Sequence, residues 1–169
     1  MTLDKLMYRL NQGDKTAFEE IYNDTKKAVY YTALSILRER ELAEDVMQTT
    51  YLNVIKNSSS YQMGTNARAW ILRIAKNEAL NLKKKRGREN SVDEQENDSL
   101  FGSYTIDDYG ATIDIARKNL SEDEFNILML IAVSGYKRRE IAEFLNIPIS
   151  TVTWKYREAV KKMKRLISE

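Results

Sequence analysis

Apolar residues along the chain recur at helical spacing almost throughout. Leu3, Leu6, Met7 and Leu10 form one short stripe, Gly13-Asp14 interrupts it, and Thr16 to Glu19 has capping-box spacing ahead of Phe18, Ile21, Tyr22, Val29, Tyr30, Ala33, Leu34 and Leu37. Arg38-Glu39-Arg40-Glu41 ends that segment or connects it onward. Ala43, Val46, Met47, Tyr51, Val54 and Ile55 then predict another amphipathic helix, which stops in Asn57-Ser58-Ser59-Ser60. After a polar loop through Gly64, a helix from about Asn66 to Lys85 buries Ala67, Ile71, Ile74 and Ala75, turns its basic residues outward and ends near Gly87. No strand pattern competes with this all-α reading.

Three further helices are predicted over residues 121–167. Ser121 and Glu124 have the spacing of a capping box, and Phe125, Leu128, Met129 and Ala132 follow at helical intervals up to Gly135. Arg138 to Leu145 buries Ile141, Phe144 and Leu145. Asn146-Ile147-Pro148-Ile149, with the only proline of the chain, then forces a turn before a helix that begins near Ser150. This is helix-turn-helix order, the arrangement that lets a helix lie in a DNA groove. On the last helix Val152, Tyr156, Ala159, Val160, Met163, Leu166 and Ile167 share one stripe, while Ser150, Trp154, Arg157, Lys161 and Arg165 lie opposite. An outward tryptophan among hydroxyls and cations suits a surface that meets bases and phosphates. The plainer alternative is a solvated face with one aromatic packed on a neighbouring helix.

Composition narrows the chemistry. The 169 residues are 43% hydrophobic and 31% charged, ordinary for a globular protein, and contain neither cysteine nor histidine. Disulfides, zinc ribbons, thiol nucleophiles and the usual general base are thereby excluded. The N-terminal residues carry no signal pattern and no apolar run could span a bilayer, so a cytoplasmic protein is the default expectation. The net charge of +2 hides segregation. Arg68, Arg73, Lys76, Lys83, Lys84, Lys85, Arg86 and Arg88 form a basic block, and Glu89, Asp93, Glu94, Glu96, Asp98, Asp107, Asp108 and Asp114 follow as an acidic one. Residues 89–112 are too poor in apolar side chains to offset chain entropy and read as a flexible acidic linker between two small helical domains, 1–88 and 113–169.

Two blocks then carry a resemblance. Glu44-Asp45-Val46-Met47-Gln48-Thr49-Thr50-Tyr51-Leu52 and Ala69-Trp70-Ile71-Leu72-Arg73-Ile74-Ala75-Lys76-Asn77-Glu78-Ala79-Leu80-Asn81 closely resemble region 2 of the extracytoplasmic-function (ECF) bacterial sigma factors, and residues 120–164 look like their region 4. The resemblance implies a dissociable, non-catalytic subunit of bacterial RNA polymerase that directs core enzyme to promoters and opens the −10 element. It implies that Asp45, Gln48 and Leu52 dock on core polymerase. It implies that Tyr61, Gln62, Met63 and Asn66, in a polar loop over residues 60–66, capture a flipped non-template base. Trp70, Arg73, Lys76, Asn77 and Asn81 then hold the −10 strand, although Trp70, beside Ile71, is equally well read as core. In region 4, Arg138, Ser150, Thr151, Thr153, Trp154, Lys155, Arg157 and Lys161 fall on the −35-reading surface. Many relatives carry a small hydroxyl and then arginine where this chain has Trp154 and Lys155, and lysine lacks the bidentate fork that arginine offers guanine. The linker's carboxylates would suit basic polymerase channels or serve solubility alone. The partners implied are core polymerase and promoter DNA, with an anti-sigma factor common in the family, and no cofactor, metal or small-molecule substrate.

Two rival readings are separable. A conventional helix-turn-helix regulator would bind a duplex operator unaided, usually as a symmetric dimer. An enzyme would need carboxylate or lysine chemistry, and no paired constellation is visible.

Overall fold

A computed structural model describes residues 1–89 and 110–168, and among them every regular element is helical. The chain divides into two compact units, Met1–Phe101 and Gly102–Glu169. Most of the acidic stretch expected as a linker lies outside the described residues. At its edges, Glu89 closes one helix and Gly110, Ala111 and Thr112 open the next.

The first unit comprises α1 (Leu3–Asn11), α2 (Lys15–Leu37), α3 (Arg40–Lys56), a 3-10 turn (Ser58–Ser60) and α4 (Ala67–Glu89). The cap of α2 is Asp14, two residues earlier than the Thr16–Glu19 spacing suggests: its Oδ1 accepts the Thr16 amide at 2.9 Å, while Oδ2 accepts Arg9 Nε at 2.9 Å. A charged cap binding both an amide and a guanidinium satisfies the helix start and ties α1 to α2. The Thr16 hydroxyl, then Arg9, hold the Asp14 carboxyl down at about 2. Gly13, at φ 88°, supplies the left-handed step between the helices. Arg38, at φ 57°, terminates α2, so the Arg38–Glu41 stretch both ends one helix and begins another.

Helix α2 lies against α1, α3 and α4, and every residue from Ala28 to Ile36 is buried. Its inward hydroxyls are satisfied locally: Thr25 and Thr32 each donate to the carbonyl four residues back at 2.7 Å, as Thr50 does in α3. Thr25 Oγ1 also lies 2.8 Å from the Tyr51 hydroxyl across the α2–α3 contact, and burial pushes that phenol's pKa up. Ile55, expected inside, is instead 46% exposed.

The second unit is α5 (Gly110–Asn119), α6 (Glu122–Ala132), α7 (Arg138–Leu145) and α8 (Ile149–Ser168). The Ser121–Glu124 capping box is present, with the Glu124 amide donating to Ser121 Oγ at 3.3 Å and the Ser121 amide to Glu124 Oε2 at 3.0 Å. Asn146 closes α7 at φ 53°, and the Pro148 carbonyl accepts the first amides of α8. Ile127, Leu130, Ile141 and Val152 are fully buried where α6, α7 and α8 meet. Phe125, Leu128 and Met129 on the expected stripe are buried, and so are Ile127 and Leu130, but Ala132, the last residue of α6, is exposed.

Glu124 has a second task. Lys162 of α8 donates to both its carboxylate oxygens, at 2.8 and 2.9 Å, so Lys162 is committed to an internal pair rather than free for phosphates or solvent. Burial raises the pKa of this carboxyl, but the hydrogen bonds from Lys162 and Ser121 outweigh it and hold the group below its ordinary 4.5. A carboxyl depressed in the folded state contributes stability above its unfolded pKa and loses it as pH falls through the folded value. The melting temperature of the second unit should therefore drop more steeply below pH 4.5 in the parent than in Glu124→Gln, as followed by circular dichroism.

Candidate nucleic-acid and polymerase interfaces

Helix α3 presents Asp45, Gln48 and Leu52 to solvent. At 3.6 residues per turn these three and Ile55 fall within an arc of roughly 80°. Leu52 is 68% exposed, and the side chains of Asp45 and Gln48 make no hydrogen bond or ion pair among the described residues. Asp45 lies beyond the first turn, where the acid is Glu41, and Glu44 is engaged by Arg40 at 3.0 Å. The macrodipole therefore does not account for Asp45. An apolar side chain standing out beside a free carboxylate and a free amide is the composition of a docking face.

The loop after α3 is ordered by contacts to other elements. Tyr61 is 7% exposed; its hydroxyl donates to Asp4 Oδ1 of α1 at 2.6 Å, and its ring meets Trp70 edge-on with centroids 5.5 Å apart. Burial, then the Asp4 carboxylate, raises the Tyr61 pKa. The sequence places Tyr61 in the base-capturing loop, whereas here its ring and hydroxyl are engaged inside the unit. Asn66 also has local work, its Oδ1 accepting the Ala69 amide at 3.0 Å at the start of α4. Gln62 and Met63 remain exposed at the loop's apex. Asp4 was not singled out in the sequence, where an acid in the first turn of a short helix reads as a dipole preference.

Along α4, Arg73, Asn77 and Asn81 are exposed, whereas Trp70 and Lys76 are half-buried. Lys84 and Arg88 continue the Arg73–Asn77–Asn81 line, and Asn81, Lys84, Lys85, Arg88 and Glu89 border a shallow open depression. Arg86 points elsewhere and donates to Glu39 at 2.7 Å. Amides and cations thus share one face, opposite the buried Ala67, Ile71, Leu72, Ala75 and Ala79.

On α8, Ser150, Trp154, Arg157, Lys161 and Arg165 are all exposed, Trp154 by 60%. None of these five side chains makes a hydrogen bond or ion pair among the described residues. Thr151 and Thr153 flank the face half-buried. Lys155 departs from expectation: its ammonium is 2.5 Å from Asp123 Oδ2 of α6, which turns it off the face that Trp154 and Arg157 share. Arg138, at the start of α7, is exposed with its guanidinium 5.2 Å from the centre of the Tyr156 ring. Among the described residues no acidic cluster is arranged to hold a metal ion, and no helix is long and apolar enough to cross a membrane.

Comparison with known proteins adds to this geometry. Residues 21–89 match the family described as Sigma-70 region 2, and residues 118–163 match Sigma-70, region 4. The RNA polymerase sigma factor CarQ of Myxococcus xanthus is 25% identical over 167 residues, covering 96% of each chain. The ECF RNA polymerase sigma factor SigK of Mycobacterium tuberculosis H37Rv is 25% identical over 181 residues, 98% of this chain and 93% of its own. Among solved structures, the sigma factor RpoE of Bartonella quintana, in complex with the anti-sigma factor NepR, superposes with a TM-score of 0.53 at 25% identity, covering 89% of this chain and 96% of its own. CnrH, in complex with the cytosolic domain of CnrY, shares the fold with a TM-score of 0.52 at 17% identity, covering 98% of this chain and 96% of its own. With regions 2 and 4 matched in order and relatives aligned nearly end to end, the chain belongs to the sigma-70 family as an ECF sigma factor, a promoter-recognition subunit of bacterial RNA polymerase.

Proposed function

We propose that the work of this sigma factor is divided among three surfaces. Asp45, Gln48 and Leu52 on α3 dock core polymerase. Gln62 and Met63 at the loop apex, with Trp70, Arg73, Lys76, Asn77 and Asn81 on α4, hold the melted −10 strand. Ser150, Trp154, Arg157 and Lys161 on α8, with Arg138, read the −35 duplex. The first two functions belong with residues 1–88 and the last with residues 113–169, and the protein acts in the cytoplasm, by recognition rather than catalysis. The carrying observation is the exposed face of α4: amides and cations follow one another for several turns along a line facing away from the core, which suits tracking of a phosphate backbone beside unpaired bases. Run-off transcription with bacterial core polymerase over a promoter library tests it. Product that depends on this protein supports the reading, whereas tight unaided binding to a palindromic duplex would favour a conventional regulator.

Specificity within the −35 element should sit at the free side chains of α8. Replacing Arg157 or Trp154 by alanine should relax preference at individual base pairs, each at about 1–3 kcal/mol. Lys161→Ala should weaken all sequences alike and lower the salt slope by about one. Filter binding of holoenzyme to single-base promoter variants separates these patterns. An equal, uniform loss for all three variants would defeat the docking orientation.

The similar RpoE and CnrH structures hold NepR and the cytosolic domain of CnrY. An inhibitor of that kind is a proposed further partner here, and the exposed Leu52 and Ile55 give it an apolar foothold.

A further inference from the structure

The span from Tyr61 to Gly64 is fastened at both ends by one oxygen atom. Asp4 Oδ1 accepts the Tyr61 hydroxyl at 2.6 Å and the Gly64 amide at 3.1 Å, bonds that close separations of 57 and 60 residues. Between these points stand Gln62 and Met63, both exposed, Met63 by 47%. The arch is braced again within itself, where the Gln62 carbonyl accepts the Thr65 hydroxyl at 2.6 Å and the Thr65 amide at 3.3 Å. Gly64 takes φ 81°, a left-handed step that turns the chain away just after the amide bound to the carboxylate, and a Cβ at that position would meet nothing within 4 Å. Backbone geometry, not crowding, thus calls for glycine. Tyr61 adds a third attachment through its ring on Trp70 of α4. A loop whose tip is free and whose ends are held has lost much of its conformational entropy before any ligand arrives.

The geometry points to Asp4 as a positioning residue for promoter opening: from α1 it holds the 61–64 arch in the shape in which Gln62 and Met63 meet an unpaired base. This rests on the reading that the loop captures a base, and it extends that reading to a residue far away in sequence. Asp4 itself touches no DNA. Its carboxylate acts through Tyr61 and Gly64, so its loss should change how sharply the loop discriminates bases rather than whether the protein folds or binds core.

The test uses holoenzyme assembled from the full chain and core polymerase, with single-stranded −10 oligonucleotides carrying each of the four bases in turn at the captured position. Asp4→Ala should lower affinity for the preferred base about tenfold, the scale of losing charge-assisted hydrogen bonds, and leave the disfavoured bases nearly unchanged. Asp4→Asn, which keeps an acceptor oxygen, should retain part of the discrimination. Tyr61→Phe should act in the same direction, and combined with Asp4→Ala it should add little. Parental discrimination in Asp4→Ala overturns the inference. So does an equal loss of melting temperature, core binding and all four oligonucleotides, which would make Asp4 purely structural. The Gln62→Ala/Met63→Ala variant separates the two layers. If it abolishes discrimination while Asp4→Ala does not, only the role of Asp4 falls; if it leaves discrimination intact, the capture reading falls and the inference with it.

Discussion

Holoenzyme assembly should collapse when Asp45 and Gln48 are both replaced by lysine. Both side chains are exposed and unengaged within the described residues, so the exchange removes nothing that holds the first unit together, and lysine is a good helix former. What changes is the docking face, where a carboxylate and an amide beside the 68% exposed Leu52 give way to two cations. A residue at the centre of such an interface typically contributes about 2 kcal/mol or more, so affinity for core polymerase should fall by at least about thirtyfold. Co-elution with core on gel filtration reads the loss, and an unchanged far-ultraviolet circular dichroism spectrum shows that the helices persist. Leu52→Ala should weaken binding in the same assay without any change of charge. If the double variant assembled normally, the α3 face would not be where polymerase docks.

Leu130→Ala should disable the second unit while sparing the first. Leu130 is fully buried with Ile127, Ile141 and Val152, and truncating a leucine in such a core costs about 2–5 kcal/mol. A helical unit of this size has little stability in reserve. Thermal melts should resolve an early transition from α5–α8 and a later one from α1–α4. Holoenzyme should still form, but −35-dependent recruitment at growth temperature should be lost. Ala132→Ser is the control on the same helix: Ala132 is exposed, so its substitution should stay within about 0.5 kcal/mol of the parent. Equal effects of the two substitutions would contradict the packing of α6.

The contrast between Leu130 and Ala132 illustrates what could be read from the chain. Where a helix has one covered side, as α8 has, spacing alone separated Val152, Ala159 and Met163 from Ser150, Trp154, Arg157, Lys161 and Arg165. Turn chemistry was equally legible at Ser121, Glu124 and Pro148, because caps and proline act within a few residues of themselves. Periodicity says less about α2 and α6, which bury more than one stripe, so Ala28 to Ile36 and the Ile127–Leu130 contact exceeded any single-face expectation. Short α5 was not anticipated at all: it opens with a glycine, follows a stretch rich in acids and has few apolar residues to set a period. At the candidate surfaces the exposed residues were found on the expected faces, but Tyr61, Lys155 and Lys162 were not free. Their partners Asp4, Asp123 and Glu124 lie 57, 32 and 38 residues away, and nothing local in the sequence pairs them.

The division of labour on α8 bears on how such a protein can change. Val152, Ala159 and Met163 carry the packing, whereas Trp154, Arg157, Lys161 and Arg165 are bonded to nothing among the described residues. Substitutions at the two base-reading positions, Trp154 and Arg157, can therefore alter what is read without drawing on the energy that keeps the unit folded, and a new promoter preference is reachable in single steps through folded intermediates. Lys155 is the exception, since any replacement there also releases Asp123. A programme to build mutually insulated sigma factors on this scaffold should diversify 154 and 157 freely, keep the cation at 161 and change 155 only together with 123.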